Sequence, residues 1–444
     1  MHYNAITPAI KRKYERKFVT PAEAVSVIQS GDRVYIHPGC AVPQILVDAM
    51  VERYMELQDV EVCHLLGVGE AAYVRPEMQG HFRHNAFFIG KNVRTAVWEG
   101  RADFTPIFLS EIPAMLYSRQ YPVDVALIQV SPPDEHGYCS FGVGVECTKA
   151  ATEVAKVVVA QINPNMPRTL GDSFIHISKI DYCVEVSVPL KELPQLEGDE
   201  TPAEKEVYRQ IGEYVAGLVE DGSTLQLGIG RIPEATVQYL ADRKHLGVHS
   251  EMVSDGIIPL VESGVITNMR KTLLPGKIVT SFVLGSHELF DFIDNNPALE
   301  FRPTQFTNDP FTIARNRQMV AVNSAIEVDL TGQVCADSMG YRFYSGFGGQ
   351  VDFLRGAAKS EGGKPIIALP STAKKGKVSR IVTRLQEGAG VTTSKGDVHY
   401  VVTEFGVVNL HGRSVRQRAE LLISIAHPQF QAELEAFAKA QHYL

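Results

Sequence analysis

Between Thr224 and Gly256 the chain reads TLQLGIGRIPEATVQYLADRKHLGVHSEMVSDG, an order of residues that leaves few folds open. Thr224 to Leu227 predicts a short strand, and Gly228, Ile229 and Gly230 a turn in which positive φ is tolerated. Pro233 predicts the opening of a helix, and Leu246 to His249 a second strand. That strand delivers Ser250, Glu251 and Met252 into a loop. The Glu251 carboxylate is therefore expected at the carboxyl end of a parallel strand, where open α/β sheets keep their ligands.

The same grammar occurs earlier. Thr20, Pro21, Ala22 and Glu23 form a capping box with proline at the first helical position, which predicts a helix to about Gln29, stopped by Ser30, Gly31 and Asp32. Arg33 to His37 predicts a strand, Pro38, Gly39, Cys40 and Pro43 a turn, and Gln44 to Met50 a helix. Further apolar runs lie at Val60 to Leu66, Thr105 to Leu109 and Val123 to Val130, the last ending at SPPDEHGY. In the second half Lys277 to Leu284, Met319 to Ala325 and Val398 to Thr403 are apolar, and the last runs into Glu404, Phe405 and Gly406. Near-continuous apolar strands alternating with helices predict parallel sheets covered on both faces. The expected fold is α/β, with two similar open parallel-sheet domains. Val188 to Pro202 contains three prolines among mostly polar residues and reads as a linker, so domains of 1–195 and 196–444 are expected. A helix over Ala203 to Glu220 follows, with Val207, Ile211, Tyr214, Val215 and Leu218 on one face.

Composition narrows the function. At 45% apolar and 21% charged residues the chain matches a soluble enzyme, and no run approaches the roughly 20 apolar residues of a membrane span. The amino terminus lacks the apolar block of a secretory signal. Lys11, Arg12 and Lys13, interrupted by Glu15, read as a solvated arm and leave mitochondrial import open. Cys40, Cys63, Cys139, Cys147, Cys183 and Cys335 show no CxxC spacing and are expected as reduced thiols in a cytoplasmic protein. His136 and Cys139 lack the two further ligands a zinc site requires. A net charge of −8 argues against nucleic acid. Any anionic ligand must then be met by a local basic cluster.

Three glycine-rich places are candidates for chemistry. LGIGRIP lacks the third glycine of a dinucleotide fingerprint and any following Lys-Ser/Thr pair, but its amides suit an oxyanion site. Ser345 to Phe353, SGFGGQVDF, is either a tight turn with Asp352 capping a helix or a row of amides aimed at developing negative charge. Thr372 to Arg380, TAKKGKVSR, places Lys374, Lys375, Lys377 and Arg380 within seven positions; a solvated loop or a polyphosphate contact explains it. A lone glutamate after a strand, such as Glu251, is by itself ordinary surface or a helix cap.

The motifs taken together say more. HSEMVSDG, the GIGxxP turn, TNDP (Thr307 to Pro310), AVNSAIEVDLTGQV (Ala321 to Val334), SGFGGQVDF, VTEFG and IAHPQF (Ile425 to Phe430) resemble class I coenzyme A transferases, in the acetyl-CoA hydrolase/transferase group that includes 4-hydroxybutyrate CoA-transferases. The similarity spans almost the whole chain, SPPDEHG included. It implies that Glu251 is the catalytic glutamate, that the amides of Ile229 and Gly349 are oxyanion donors, and that Glu404 is a second active-site carboxylate. It also implies that Asn308 and Lys374, with Gly228, Gly230 and Gly348 in the two glycine turns, bind coenzyme A. Expected substrates are an acyl-CoA and a short-chain carboxylate such as acetate, butyrate or 4-hydroxybutyrate. Coenzyme A would serve as substrate and covalent intermediate, with no metal or tightly bound cofactor, and the resemblance implies a homodimer. The competing readings are an acetyl-CoA hydrolase and a non-catalytic acyl-CoA sensor; a nicotinamide oxidoreductase is disfavoured by the incomplete fingerprint.

Overall fold

The computed structural model describes residues 5–193 and 201–444. The described residues divide into two compact units: Met1–Pro194 with Val279–Thr307, and Gln195–Ile278 with Asn308–Leu444. The expected boundary at 195 and the middle of the proline-rich linker lie outside the described residues. Not indicated by sequence is the return of 279–307 to the first unit, where the helix His287–Ile293 buries Leu289, Phe290 and Ile293.

The first unit is built on β1 (Arg33–Ile36), β2 (Val60–His64), β3 (Phe82–Ala86), β4 (Ala102–Phe104), β5 (Val125–Val130), β6 (Val157–Ile162) and β7 (Tyr182–Glu185), in the order β4-β3-β2-β1-β5-β6-β7. Every pairing is parallel. All six residues of β5 are buried, as a strand covered on both faces requires. Val34, Ile36, Val62, Leu127 and Val159 join one core with Leu46 and Met50 of the helix Gln44–Glu52. Burying each such side chain contributes about 1.5–3 kcal/mol, which favours apolar residues at these core positions.

Two expectations shift here. The helix after the Thr20 capping box runs only Pro21–Val25, because Ser26 bonds its hydroxyl back to the Glu23 carbonyl and the chain turns away before Gln29. No strand forms over Thr105 to Leu109; it lies just upstream, at Ala102–Phe104, because Pro106 has no amide to give a ladder.

The second unit carries β8 (Thr224–Leu227), β9 (Gly247–Val248), β10 (Met319–Ser324), β11 (Lys364–Ala368), β12 (Tyr400–Thr403) and β13 (Gly406–Asn409), in the order β9-β8-β10-β11-β12-β13. All neighbours are parallel except the final hairpin of β12 with β13. The predicted run Lys277 to Leu284 enters neither main sheet. It breaks into Ile278–Thr280 and Phe282–Val283 around Ser281, and the chain passes from one unit to the other between Ile278 and Val279. In both units the strand order reverses beside the first strand: β2-β1-β5 in one, β9-β8-β10 in the other. This is the switch point at which open α/β sheets place ligands.

The helix leading into β8 spans Pro202–Gly217, closed at its start by a second capping box, Thr201 with Glu204. Tyr214 of its expected apolar face is exposed, while Ile211 and Val215 are buried. Gly212 lets it approach the helix Arg231–Gln238 closely, because a Cβ there would strike the Ala235 backbone. That second helix starts at Arg231, two residues before Pro233, since Gly230 serves as its N-cap at φ 114°. Proline is tolerated inside the first turn, where its missing amide has no intrahelical partner.

Candidate active site

The carboxyl ends of β8, β9, β11 and β12 emerge on one edge of the second unit's sheet, because these strands run parallel. Gly228–Gly230, Glu251, Ser371 and Glu404 follow those ends in turn. The β8 and β9 loops are tied together by Ser250, whose hydroxyl donates to the Met252 carbonyl at 2.6 Å and to the Leu227 carbonyl at 3.3 Å.

Glu251 is partly buried and held by two donors. Asn308 Nδ2 donates to its Oε2 at 2.7 Å, and the Gly349 amide donates to the same carboxylate. Asn308 is fully buried, and its Oδ1 has no hydrogen-bond partner among the described residues. Gly349 is the N-cap of the ten-residue helix Gln350–Lys359, so its amide is drawn from the unpaired donors at the positive end of a helix dipole. A Cβ there would collide with both Glu251 Oε2 and Asn308 Nδ2, so any larger residue must displace the pair. Gly348 precedes it at φ 52°, and Asp352 is buried in the helix's first turn.

Burial raises the Glu251 pKa from 4.5 to about 7, outweighing the Asn308 and Gly349 hydrogen bonds that favour the charged form. A carboxylate so held is poorly solvated and more basic than usual, and both changes raise its power as a nucleophile. Its two donors are also neutral groups of the kind that stabilise an oxyanion.

Glu404 is buried at the end of β12, with both oxygens engaged by one residue: the Ser371 amide donates to Oε2 at 2.8 Å and the Ser371 hydroxyl to Oε1 at 2.6 Å. Ser371 leads directly into the hairpin Thr372–Ala373 with Val378–Ser379, whose tip exposes Lys374, Lys375 and Lys377. Lys374 and Lys375 both have positive φ. Gln429, from the IAHPQF motif, donates to the Gly376 carbonyl at 2.6 Å, and His427 packs edge-on against Phe405. The distant motifs VTEFG, TAKKG and IAHPQF thus form one cluster.

The structure therefore joins Glu251, Asn308 and Gly349 by direct contact and links Glu404 to the lysine hairpin through Ser371. Ile229 lies on the turn after β8, its side chain 40% exposed. Asn308, expected on the coenzyme, contacts Glu251 itself. Ser371 went unread in the sequence; its only signal was its place directly after a buried strand. Among the described residues no cluster of three metal-ligating side chains occurs, and no helix is long and apolar enough to cross a membrane.

The chain is similar to known proteins along most of its length. Residues 5–189 match the acetyl-CoA hydrolase/transferase N-terminal domain, and residues 285–438 the C-terminal domain of the same family. The chain is 52% identical to a 4-hydroxybutyrate coenzyme A transferase of Clostridium kluyveri, over 95% of this chain and 97% of that one. Among solved structures, RipA from Yersinia pestis superposes with a TM-score of 0.92 at 36% identity, covering 98% of this chain and 99% of that one. A 4-hydroxybutyrate CoA-transferase from Porphyromonas gingivalis gives 0.83 at 40% identity, covering 97% and 99%.

Proposed function

The chain belongs to the acetyl-CoA hydrolase/transferase family, and from that premise we propose that it moves coenzyme A from a short-chain acyl-CoA to a free carboxylic acid through a thioester on Glu251. The observation that carries the reading is the Glu251 carboxylate resting on the Asn308 amide and the Gly349 N–H.

The steps balance without a metal or an external proton. A Glu251 oxygen attacks the thioester carbonyl, the carbon–sulfur bond breaks, and an acyl-glutamyl anhydride and CoA thiolate result. The thiolate attacks the glutamyl carbonyl and expels the first acid as its carboxylate. An incoming carboxylate attacks the glutamyl thioester and releases thiolate again. The thiolate then attacks the acyl carbonyl of the new anhydride, which frees Glu251 and the new acyl-CoA. Only a carboxylate nucleophile yields an anhydride, so the thioester's free energy is retained.

Each attack places negative charge on a carbonyl oxygen. An amide donor aimed at such an oxygen is worth about 3–4 kcal/mol, the role proposed for the amides of Gly349 and Ile229. Binding the whole coenzyme supplies the rest by orientation, with about 7–11 kcal/mol reached in well-aligned systems. Glu404 supports the site as a second carboxylate, and Lys374, with the Gly228–Gly230 and Gly348 turns, contacts the coenzyme. The names of the relatives point to 4-hydroxybutyrate among short acids.

Incubation with acetyl-CoA followed by borohydride is expected to convert Glu251 alone to the alcohol, read by peptide mapping. Label at another residue, or none, would remove Glu251 as nucleophile. Release of free CoA without any acceptor acid, followed with a thiol reagent, would make the enzyme a hydrolase instead.

A further inference from the structure

The strand that delivers Glu251 is short, lies at the edge of its sheet, and is completed on its outer side by side chains. Inward, β9 pairs conventionally: the Gly247 amide donates to the Ser223 carbonyl at 2.9 Å and the His249 amide to the Leu225 carbonyl at 3.1 Å. Outward, alternate residues must find other partners. Leu246 finds backbone: its amide donates to Val265 O at 2.9 Å, and its carbonyl accepts from the Thr267 and Asn268 amides at 3.0 and 2.9 Å. That partner then turns away at Asn268, whose φ is 59°. Val248, three residues before Glu251, is met by side chains instead. Its amide donates to Asn268 Oδ1 at 2.9 Å, and its carbonyl accepts from Lys271 Nζ at 2.8 Å.

We infer that Asn268 and Lys271 are positioning residues for Glu251, continuing the sheet past its last backbone partner and so setting where the nucleophile-bearing loop begins. The inference rests on the reading of Glu251 as the nucleophile. Lys271 is built for this. It is 3% exposed, its stem lies over Gly247, where a Cβ would strike Lys271 Cγ, and its amine donates a second bond to the Lys277 carbonyl at 2.6 Å. Burial alone lowers its pKa from 10.5 to about 7, a cost that a lysine serving only solubility would avoid by staying outside. Even a neutral amine retains two hydrogens, one for each carbonyl. An edge residue with unmet backbone groups would otherwise fray or recruit another strand.

Three variants test it with acetyl-CoA as donor and 4-hydroxybutyrate as acceptor. Lys271→Met keeps the stem over Gly247 and removes the donors. Asn268→Gly accepts the positive φ and removes the acceptor, while Asn268→Asp keeps both features. Lys271→Met and Asn268→Gly are expected to lower kcat about tenfold or more with either KM changed less than about threefold, since small displacements of a reacting group act on the chemical step. Hydrogen exchange of the segment Leu246 to Met252 is expected to quicken in both, and Asn268→Asp to remain within about twofold of wild type in kcat. Folded variants with unchanged kcat, or with KM rising in step with the loss of kcat, would overturn the positioning role. Should Lys271→Met fail to fold, the two Asn268 variants decide alone. Wild-type enzyme that transfers no CoA to any acid sinks the functional reading itself; wild-type transfer with indifferent variants sinks only this inference.

Discussion

At Glu251 two opposing effects meet in one carboxylate. Burial favours the protonated acid, the Asn308 and Gly349 donors favour the anion, and burial wins, leaving a pKa of about 7. Glu251→Gln keeps an acceptor for both donors but cannot form the anhydride. Transfer is expected to fall by on the order of 10⁴ or more, measured by acyl-CoA exchange. The same variant is expected to be more stable than wild type at pH 8. A carboxyl with a folded pKa above its unfolded one binds its proton more tightly when folded, so stability falls as pH rises from about 4.5 to about 7. The glutamine variant escapes that fall, so its melting temperature should exceed wild type by a few degrees at pH 8 and match it near pH 4. A second test at this scale is Gly349→Ala. Gly349 has φ −97°, which alanine adopts freely, so only the collision with Glu251 and Asn308 is probed. A drop in kcat of about 10²-fold is expected by steady-state kinetics, as for displacement of a reacting group from its productive position.

At the scale of elements, the sequence was most legible where one local rule dominates. Thr20-Pro21-Ala22-Glu23 closes its helix by a reciprocal capping box, and the identical Thr201-Pro202-Ala203-Glu204 does the same in the second half. The two identical tetrads are a local signal that the units repeat. The buried strands β1, β5, β8, β10 and β12 were visible because a strand covered on both faces must be apolar. Thr105 to Leu109 forms no strand despite its apolar residues because Pro106 cannot donate to a ladder, and Lys277 to Leu284 joins neither main sheet because an apolar run does not say in which unit it will pack. The site divides the same way. Glu251, Gly349 and Glu404 came through family motifs, whereas the Asn308–Glu251 contact, the Ser371 bonds to Glu404 and the Lys271 brace depend on residues far apart in sequence or on backbone groups, which leave no local pattern. The lysine hairpin bears the element's own prediction. Lys374→Ala is expected to raise KM for acyl-CoA about tenfold, consistent with the loss of one charge-assisted phosphate contact, and to leave KM for the acid unchanged. Equal rises in both would remove the coenzyme contact.

Over the whole molecule, buried titratable groups in both units set how stability follows pH. In the first unit Glu146 is 2% exposed beside a cavity of about 30 Å³; its Oε1 accepts from the Thr148 hydroxyl at 3.1 Å, while Oε2 has no partner among the described residues. Burial raises its pKa from 4.5 to about 8. Glu146 and Glu251 therefore both withdraw stability as pH rises from 4.5, the one to about 8 and the other to about 7. At 1.36 kcal/mol per pKa unit the upper limits are about 5 and about 3 kcal/mol. Lys271 acts in the opposite sense. Its folded pKa lies below its unfolded one, so the unfolded chain holds the extra proton between about 7 and 10.5, and stability rises with pH across that window. The summed contribution of the three groups is lowest between about pH 7 and 8. The double variant Glu146→Gln with Glu251→Gln should erase the descending limb and leave the ascending one. Its melting temperature, followed from pH 4 to 10, is expected to match wild type near pH 4, separate from it progressively up to pH 8, and run parallel above. A separation constant across the whole range would mean that the two carboxyls ionise alike in the folded and unfolded chain, and that burial does not govern their charge.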